Sequence, residues 1–432
     1  MANPASTAED SASRPWHARI FYGWWIVSAG VVLNMMVSGL LMQSYGAYVV
    51  MLREDFGWSR TLLGAGFSFM RAEIGLLGPI EGWLIDKFGP GAVIRVGVVL
   101  FGGGFMLFSQ VQHVVTFFAA ILVMAIGAAL SGFLPLSTTV VNWFARHRST
   151  ALGILLTGFA AGALMVPGVT WSLETFGWRG TALASGIIIL CIGLPLSFVI
   201  KRRPEDYGLL PDGDPPKEAA AGGEGGEGPI EIDQSRDFTT REALKSPPFW
   251  FLSIGHGSAL LIVAAVMVHL IPHLTEAEGF SLSAAGGIVV FMTALQITGQ
   301  LGGGFIGDRM DKRALVVACM AGHAIALIFL AYGTALWMIL VFAVLHGLAW
   351  GIRGPLMASM RADYFGRAAF GKIMGFSTLV STVGMIGGPI IAGAFYDAQD
   401  TYQYGFTVLA VLAGLGGTAF LLARPPERPV GA

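Results

Sequence analysis

Residues 82–89 read Gly82-Trp-Leu-Ile-Asp86-Lys87-Phe88-Gly89, and residues 304–313 read Gly304-Phe-Ile-Gly-Asp308-Arg309-Met310-Asp311-Lys312-Arg313. Moving the first stretch by 222 positions lays Gly82 on Gly304 and Asp86 on Asp308. The same shift lays Glu54 on Glu276, Gly57 on Gly279, Ser59 on Ser281, Gly153 on Gly375 and Pro167 on Pro389. Phe144 and Arg146 meet Phe365 and Arg367 at a shift of 221. An offset kept over such a distance marks an internal repeat. The chain is two copies of one unit.

Composition says what that unit is made for. Of 432 residues, 54% are hydrophobic and only 12% charged, where a soluble domain carries about 25% charged residues. The 60 glycines suit helices that pack closely in lipid. Collagen and disorder are excluded, because there is no Gly-X-Y period and the hydrophobic content is too high. A net charge of −1 argues against a nucleic-acid partner. Cys191 and Cys319 lie inside apolar runs, so no disulfide or metal framework is on offer. The chain reads as an all-α integral membrane protein whose partner is the lipid bilayer.

Residues 1–19 are polar and lack the apolar core of a secretory signal. A span needs about 20 apolar residues, and the apolar runs predict twelve: 21–50, 60–85, 92–110, 114–143, 149–173, 179–200, 249–273, 281–307, 314–332, 335–360, 370–395 and 403–423. Between the sixth and seventh, residues 201–248 hold Lys201-Arg202-Arg203 and a Gly/Glu/Ala tract that cannot bury a core; this predicts a flexible linker. The organisation expected is a tail 1–20, a six-helix bundle 21–200, the linker 201–248, a second bundle 249–423 and a tail 424–432. With both termini inside, Arg53, Arg60 and Arg179 lie outside, Arg71 and Arg353 within spans, and the other 21 of the 26 Lys and Arg fall in cytoplasmic segments. That bias places the protein in the cell (inner) membrane with cytoplasmic termini and linker.

Gly302-Gly303-Gly304-Phe305-Ile306-Gly307 satisfies the dinucleotide fingerprint, but it lies in a membrane helix rather than between a strand and a helix. No phosphate-binding loop appears. No convergent nucleophile, base or metal-ligand set is found either, so no cofactor, metal or enzymatic activity is expected. His269 and His273, at i and i+4, lack a third ligand.

Ionisable groups deep in a span are expensive and usually face a cavity or a partner. Here they are Arg71, Glu73, His256, His323, His346 and Arg353. In the tenth span His346, Trp350, Arg353 and Met357 form one helical stripe, beside a stripe of Gly347, Gly351, Gly354 and Ala358. The glycines predict close packing, which turns the His-Trp-Arg face toward a water-filled cavity. Asn34 and Tyr45 of the first span, and His256 of the seventh, add polar groups. Arg353 presents a planar fork matched to a carboxylate; the alternative is permanent neutralisation by Glu73 or by backbone carbonyls. Arg71 is either a contact to the substrate or a structural pair. Glu73, His256 and His346 are the candidates for proton coupling.

The doubled Gly-x-x-x-Asp-[Arg/Lys] loop resembles the signature of the major facilitator superfamily, and Phe21-Tyr22-Gly23-Trp24-Trp25 with Trp143-Phe144 is similar to its monocarboxylate and oxalate/formate porter branch. The resemblance implies the major facilitator fold, with spans one, four, seven and ten lining a central cavity. It also implies that Asp86 holds the start of span eleven and Asp308 the start of span five, at helix N-termini that favour negative charge. Lys87, Arg309, Arg146, Arg148 and Arg367 would complete a conformational latch. In that branch an Arg of span eight and a Lys of span eleven meet the substrate; residues 281–307 hold no Arg and 373–395 no Lys.

The function expected is a secondary active transporter, monomeric, that moves a small organic anion, a mono- or dicarboxylate, by alternating access. It would be proton-coupled or work by exchange. Efflux of hydrophobic or cationic compounds is the rival, and a non-transporting membrane sensor is the alternative from another class.

Overall fold

A computed structural model describes residues 20–214, 237–427 and 429. The described residues fold into helices without a strand. In chain order the long ones are α1 (Tyr22–Phe56), α2 (Arg60–Phe88), α3 (Pro90–Phe108), α4 (Val114–Trp143), α5 (148–176), α6 (178–199), α7 (Pro247–Ala277), α8 (Leu282–Gly307), α9 (Lys312–Tyr332), α10 (Leu336–Phe365), α11 (Phe370–Gln399) and α12 (Gln403–Leu422). α5 and α6 form one run, Arg148–Val199, that breaks at Gly177, where φ is 69° and ψ 171°. A π-helical turn at Val37–Gln43 interrupts α1.

The repeated residues explain the repeated geometry. Gly57 ends α1 at φ 67°, and the Ser59 hydroxyl then accepts from the N–H of Leu62 to start α2. In the second copy Gly279 stands at φ 71° and the Ser281 hydroxyl accepts from Ala284. A left-handed glycine followed by a serine N-cap is a compact way to turn one helix into the next.

Two apolar cores form, one within each half. The first runs from Ile26 to Ile200 and takes in Ala358, Ala362, Phe370 and Met374 of the other half; the second runs from Phe238 to Ala423. Outward faces stay apolar, as at Leu164, Val290 and Val383. That is the surface a lipid solvent requires.

The halves meet through glycine. A Cβ on Gly78 of α2 would lie 2.8 Å from the carbonyl oxygen of Gly375 of α11. A Cβ on Gly304 of α8 would lie 2.6 Å from the carbonyl of Ser149 at the start of α5. Gly303, Gly304 and Gly307 of the Gly302–Gly307 tract are thus helix-packing positions. These contacts crowd toward the end of the bundle that carries residues 201–214 and 237–248, called the linker end below.

Two expectations need correction. Span ten runs five residues past the expected 360, to Phe365, and draws Arg361 into the helix. The linker is ordered where it leaves each bundle. Trp143 Nε1 donates to Lys201 O at 3.0 Å, and Asp212 accepts from the N–H groups of Ala145 and Arg146 at 3.0 and 2.8 Å. From the other side Asp237 accepts from Arg367 and Ala368 at 2.9 and 3.0 Å. Unpaired N–H groups in loops before helices attract carboxylates, which is why these polar segments dock. The Gly/Glu/Ala tract itself falls within 215–236, outside the described residues.

Candidate functional site

α10 positions the site. Gly347 and Gly351 bring it against α8, where an added Cβ on Gly347 would lie 2.7 Å from Met292 O. Arg353, two residues beyond, is 1% exposed, and its Nε and Nη1 have no hydrogen-bond partner. Its charge acts on His256 of α7, on Cys319 and His323 of α9, and on His346 and Arg361 of its own helix. No ion pair to a carboxylate is found for it among the described residues, and Glu73 does not neutralise it. A buried cation left without a partner costs several kcal/mol.

Arg361 is the residue that sequence reasoning missed. It is 1% exposed, donates from Nη1 to Met357 O at 2.7 Å and from Nη2 to Ser377 Oγ at 2.5 Å, and meets His256 Nδ1 at 3.2 Å. Ser253 of α7 donates to Ser377 at 2.9 Å. The signal was in the repeat: Trp143 ends α4, and the 221 shift from Phe144 to Phe365 carries that end to Tyr364.

The stripe expected on α10 does not face one cavity. His346 and His323 are both fully buried and meet Nδ1 to Nδ1 at 3.1 Å, so His346 is turned toward α9. Phe342 and Trp350 pack around the same imidazole. Its Nδ1 is held by His323 while its Nε2 has no partner, so the imidazole faces α9. Asn34 and Tyr45 stand between helices, with Asn34 Oδ1 unpartnered. Asn34 Nδ2 donates to Leu155 O at 3.1 Å and the Tyr45 hydroxyl to Leu63 O at 2.6 Å, so both tie helices together within the first half. His256 is engaged with Arg361. Glu73 is 6% exposed with Oε2 unpartnered. The Arg71 side chain lies outside the described residues. His269 and His273 bond to Tyr402, Pro389 O and Leu330 O.

At the linker end Asp86 accepts from the backbone N–H groups of Gly371 and Lys372 at 3.1 and 3.2 Å. Asp308 accepts from the N–H groups of Ser149 and Thr150 at 2.7 and 2.9 Å, and from the Thr150 hydroxyl at 2.6 Å. Each aspartate therefore reaches across to the first turn of a helix in the opposite half. The basic residues do not join them as expected. Arg146 pairs with Asp214, Arg148 with Asp363 at 2.5 Å, and Arg367 with Glu205 and with Asn142 O. Lys87 stacks on Trp83, and Arg309 on Phe305. Lys372 Nζ lies 3.9 Å from the Asp86 carboxylate, and Arg202 Nη2 donates to the Asp86 carbonyl at 3.2 Å. The carboxylates are closer to fixed backbone donors than to any loop arginine, so the N–H groups win them.

The family model described as Major Facilitator Superfamily matches residues 28–301 and 252–432. The chain belongs to the major facilitator superfamily. Among its relatives is the oxalate:formate antiporter of Oxalobacter formigenes, 23% identical over 413 residues that cover 93% of this chain and 90% of that one. Human monocarboxylate transporter 11 is 26% identical over 426 residues, with coverage of 94% and 84%. The Agnestins efflux protein of Paecilomyces divaricatus is 26% identical over 359 residues, with coverage of 80% and 74%. Of solved structures, the human organic anion transporter MFSD10 superposes with a TM-score of 0.67 at 16% identity, covering 94% of this chain and 100% of that one. The Escherichia coli fucose:proton symporter gives 0.69 at 15% identity, with coverage of 93% and 98%. These likenesses agree with the twelve-helix major facilitator fold. This facilitator is a multi-pass membrane transporter rather than an enzyme.

Proposed function

We propose that this facilitator moves a small organic anion, a mono- or dicarboxylate, by alternating access, and that Arg353 meets the carboxylate. The observation that carries the reading is Arg353 itself: a guanidinium 1% exposed, with two of its nitrogens without a partner and no carboxylate paired to it among the described residues. A planar fork of donors in a site of low dielectric is built for a carboxylate. An anion that enters removes the cost of the lone charge. Relatives named for oxalate, formate and monocarboxylates support the cargo class. The linker end is the cytoplasmic side, by the excess of Lys and Arg in its loops. The two aspartates hold that side closed.

The test is ligand stabilisation of purified protein. Oxalate and lactate are compared with tetraphenylphosphonium on wild type, Arg353→Lys and Arg353→Ala. A ligand at about 100 times its dissociation constant stabilises by about 2.7 kcal/mol. Oxalate or lactate should raise the unfolding temperature of wild type, weakly that of the lysine variant, and not that of the alanine variant. Stabilisation of all three proteins by the hydrophobic cation, with no response to either anion, would overturn this reading in favour of efflux.

A further inference from the structure

Two carboxylates lie inside α2 with no cation paired to them among the described residues. Glu73 is 6% exposed with Oε2 unpartnered, and Glu81 is 5% exposed with Oε1 unpartnered. Among the described residues no cation acts on either, and the charge that acts on Glu81 is that of Glu73.

The helices packed against α2 explain the isolation. α4 contains no Lys, Arg, His, Asp or Glu over 114–143. α11 brings Lys372, which stands 3.9 Å from Asp86, and Tyr396 and Asp397 at its far end. α3 brings Arg95, which lies over the Phe198 ring of α6. α1 brings Arg53, Glu54 and Asp55 at the end away from the linker, where Asp55 accepts from Trp178 Nε1 at 3.0 Å. On α2 itself, Lys87 lies over Trp83 and Asp86 is bonded to α11; the helix also carries Arg60 at its start and Arg71, whose side chain lies outside the described residues.

The depths of the two residues differ in a useful way. A Cβ on Gly75 would touch Thr382, and Gly78 and Gly82 run against Gly371–Gly375. Glu73 therefore stands at the upper margin of the α2–α11 contact, and Glu81 inside the sealed stretch. They are eight residues apart, about 12 Å along the axis.

We infer that Glu73 and Glu81 are a proton-carrying pair, both protonated in this closed state. An isolated ionised carboxylate in such surroundings costs far more than a neutral one. A proton from the side opposite the linker adds to a carboxylate oxygen of Glu73. When the linker end parts, the Glu81 carboxyl releases its proton to water there. The protonated pair stands independently of the cargo; only its coupling to flux rests on the anion reading above.

Infrared spectroscopy of the purified protein reads the protonation without a substrate. Wild type at neutral pH should show a carboxylic C=O stretching band that loses intensity in Glu73→Gln and again in Glu81→Gln, while Glu81→Asp keeps it. Proteoliposomes then read the coupling with oxalate and lactate as probes. Glu81→Gln should lose about tenfold in acid-driven accumulation and keep anion exchange, which needs no net proton movement; Glu81→Asp should restore accumulation. A band unchanged in both glutamine variants overturns the inference, and so does a Glu81→Gln protein that accumulates like wild type. If wild type moves neither probe, the anion reading fails alone and the band still decides the protonation.

Discussion

Asp212 and Asp237, at opposite ends of the connection between the halves, cap equivalent loops: Asp212 accepts from the Arg146 N–H at 2.8 Å and Asp237 from the Arg367 N–H at 2.9 Å. Arg146 and Arg367 are partners in the internal repeat, so one backbone turn, used twice, has drawn in a carboxylate from each side of the linker. Glu205, on the stretch attached to the first half, also pairs with Arg367 of the second. The described parts of the linker, 201–214 and 237–248, strap the closed end.

Removing either cap should cost about 1 kcal/mol, the usual worth of a side-chain acceptor at such a terminus. Asp212→Ala and Asp237→Ala are each expected to lower the unfolding temperature in detergent. The double variant should show the sum, because the caps sit on separate loops. An unchanged melting curve in both single variants speaks against a structural strap.

Asp86 and Asp308 make charge-assisted bonds across the halves, each worth about 1.5–3 kcal/mol. Asp86→Asn and Asp308→Asn should therefore populate the state open at the linker end about tenfold more, and slow transport with abundance unchanged. Ser359 is fully buried beside Ser149 in the closed contact. A cysteine placed there, in a protein whose exposed Cys191 is replaced, should react faster with a thiol reagent in the asparagine variants. Equal labelling rates would remove the latch.

The glycine contact offers a steric test of the same closure. Gly78→Val would drive a branched side chain into the Gly375 carbonyl, whereas a Cβ on Gly103 of α3 meets nothing within 4 Å. Overpacking costs about 1–3 kcal/mol, here charged to the closed state alone. Gly78→Val should raise labelling at the linker end, and Gly103→Val should not. The same response from both would point to general loosening.

The pair His323–His346 should behave as a unit. Replacing one by phenylalanine strands the Nδ1 of the other, at about 1–3 kcal/mol, while replacing both removes the unpaired group. The double variant should then be more stable than the sum of the single changes predicts, and oxalate or lactate binding should be unaltered. Loss of anion binding in His346→Phe but not in His323→Phe would return His346 to the substrate site.

Much of this was legible in the sequence because its signals are local or repeated. Asp86 and Asp308 announced themselves through a motif written twice, and Gly57-Trp-Ser59 with its counterpart Gly279-Phe-Ser281 shows the turn chemistry. Arg361 was not read as buried, since an arginine after an apolar run looks like a helix end. Glu81 escaped for the same reason, five residues short of the loop aspartate. His346 was misread because helical spacing tells which residues share a face but not which neighbour the face meets.

The sequence by itself determined the solvent, the helix count and the duplication, since apolar run length, charge scarcity and a fixed offset are one-dimensional quantities. Only the tertiary structure decided which polar groups are satisfied. It set His346 against His323, Asn34 against Leu155 and the loop arginines against the linker and the opposite half, and it left atoms of Arg353, Glu73 and Glu81, as well as Asn34 Oδ1 and the Nε2 of both histidines, unpartnered. Hydrogen bonding depends on atoms within about 3 Å of one another, and no pattern along a chain states which of its distant segments will come that close.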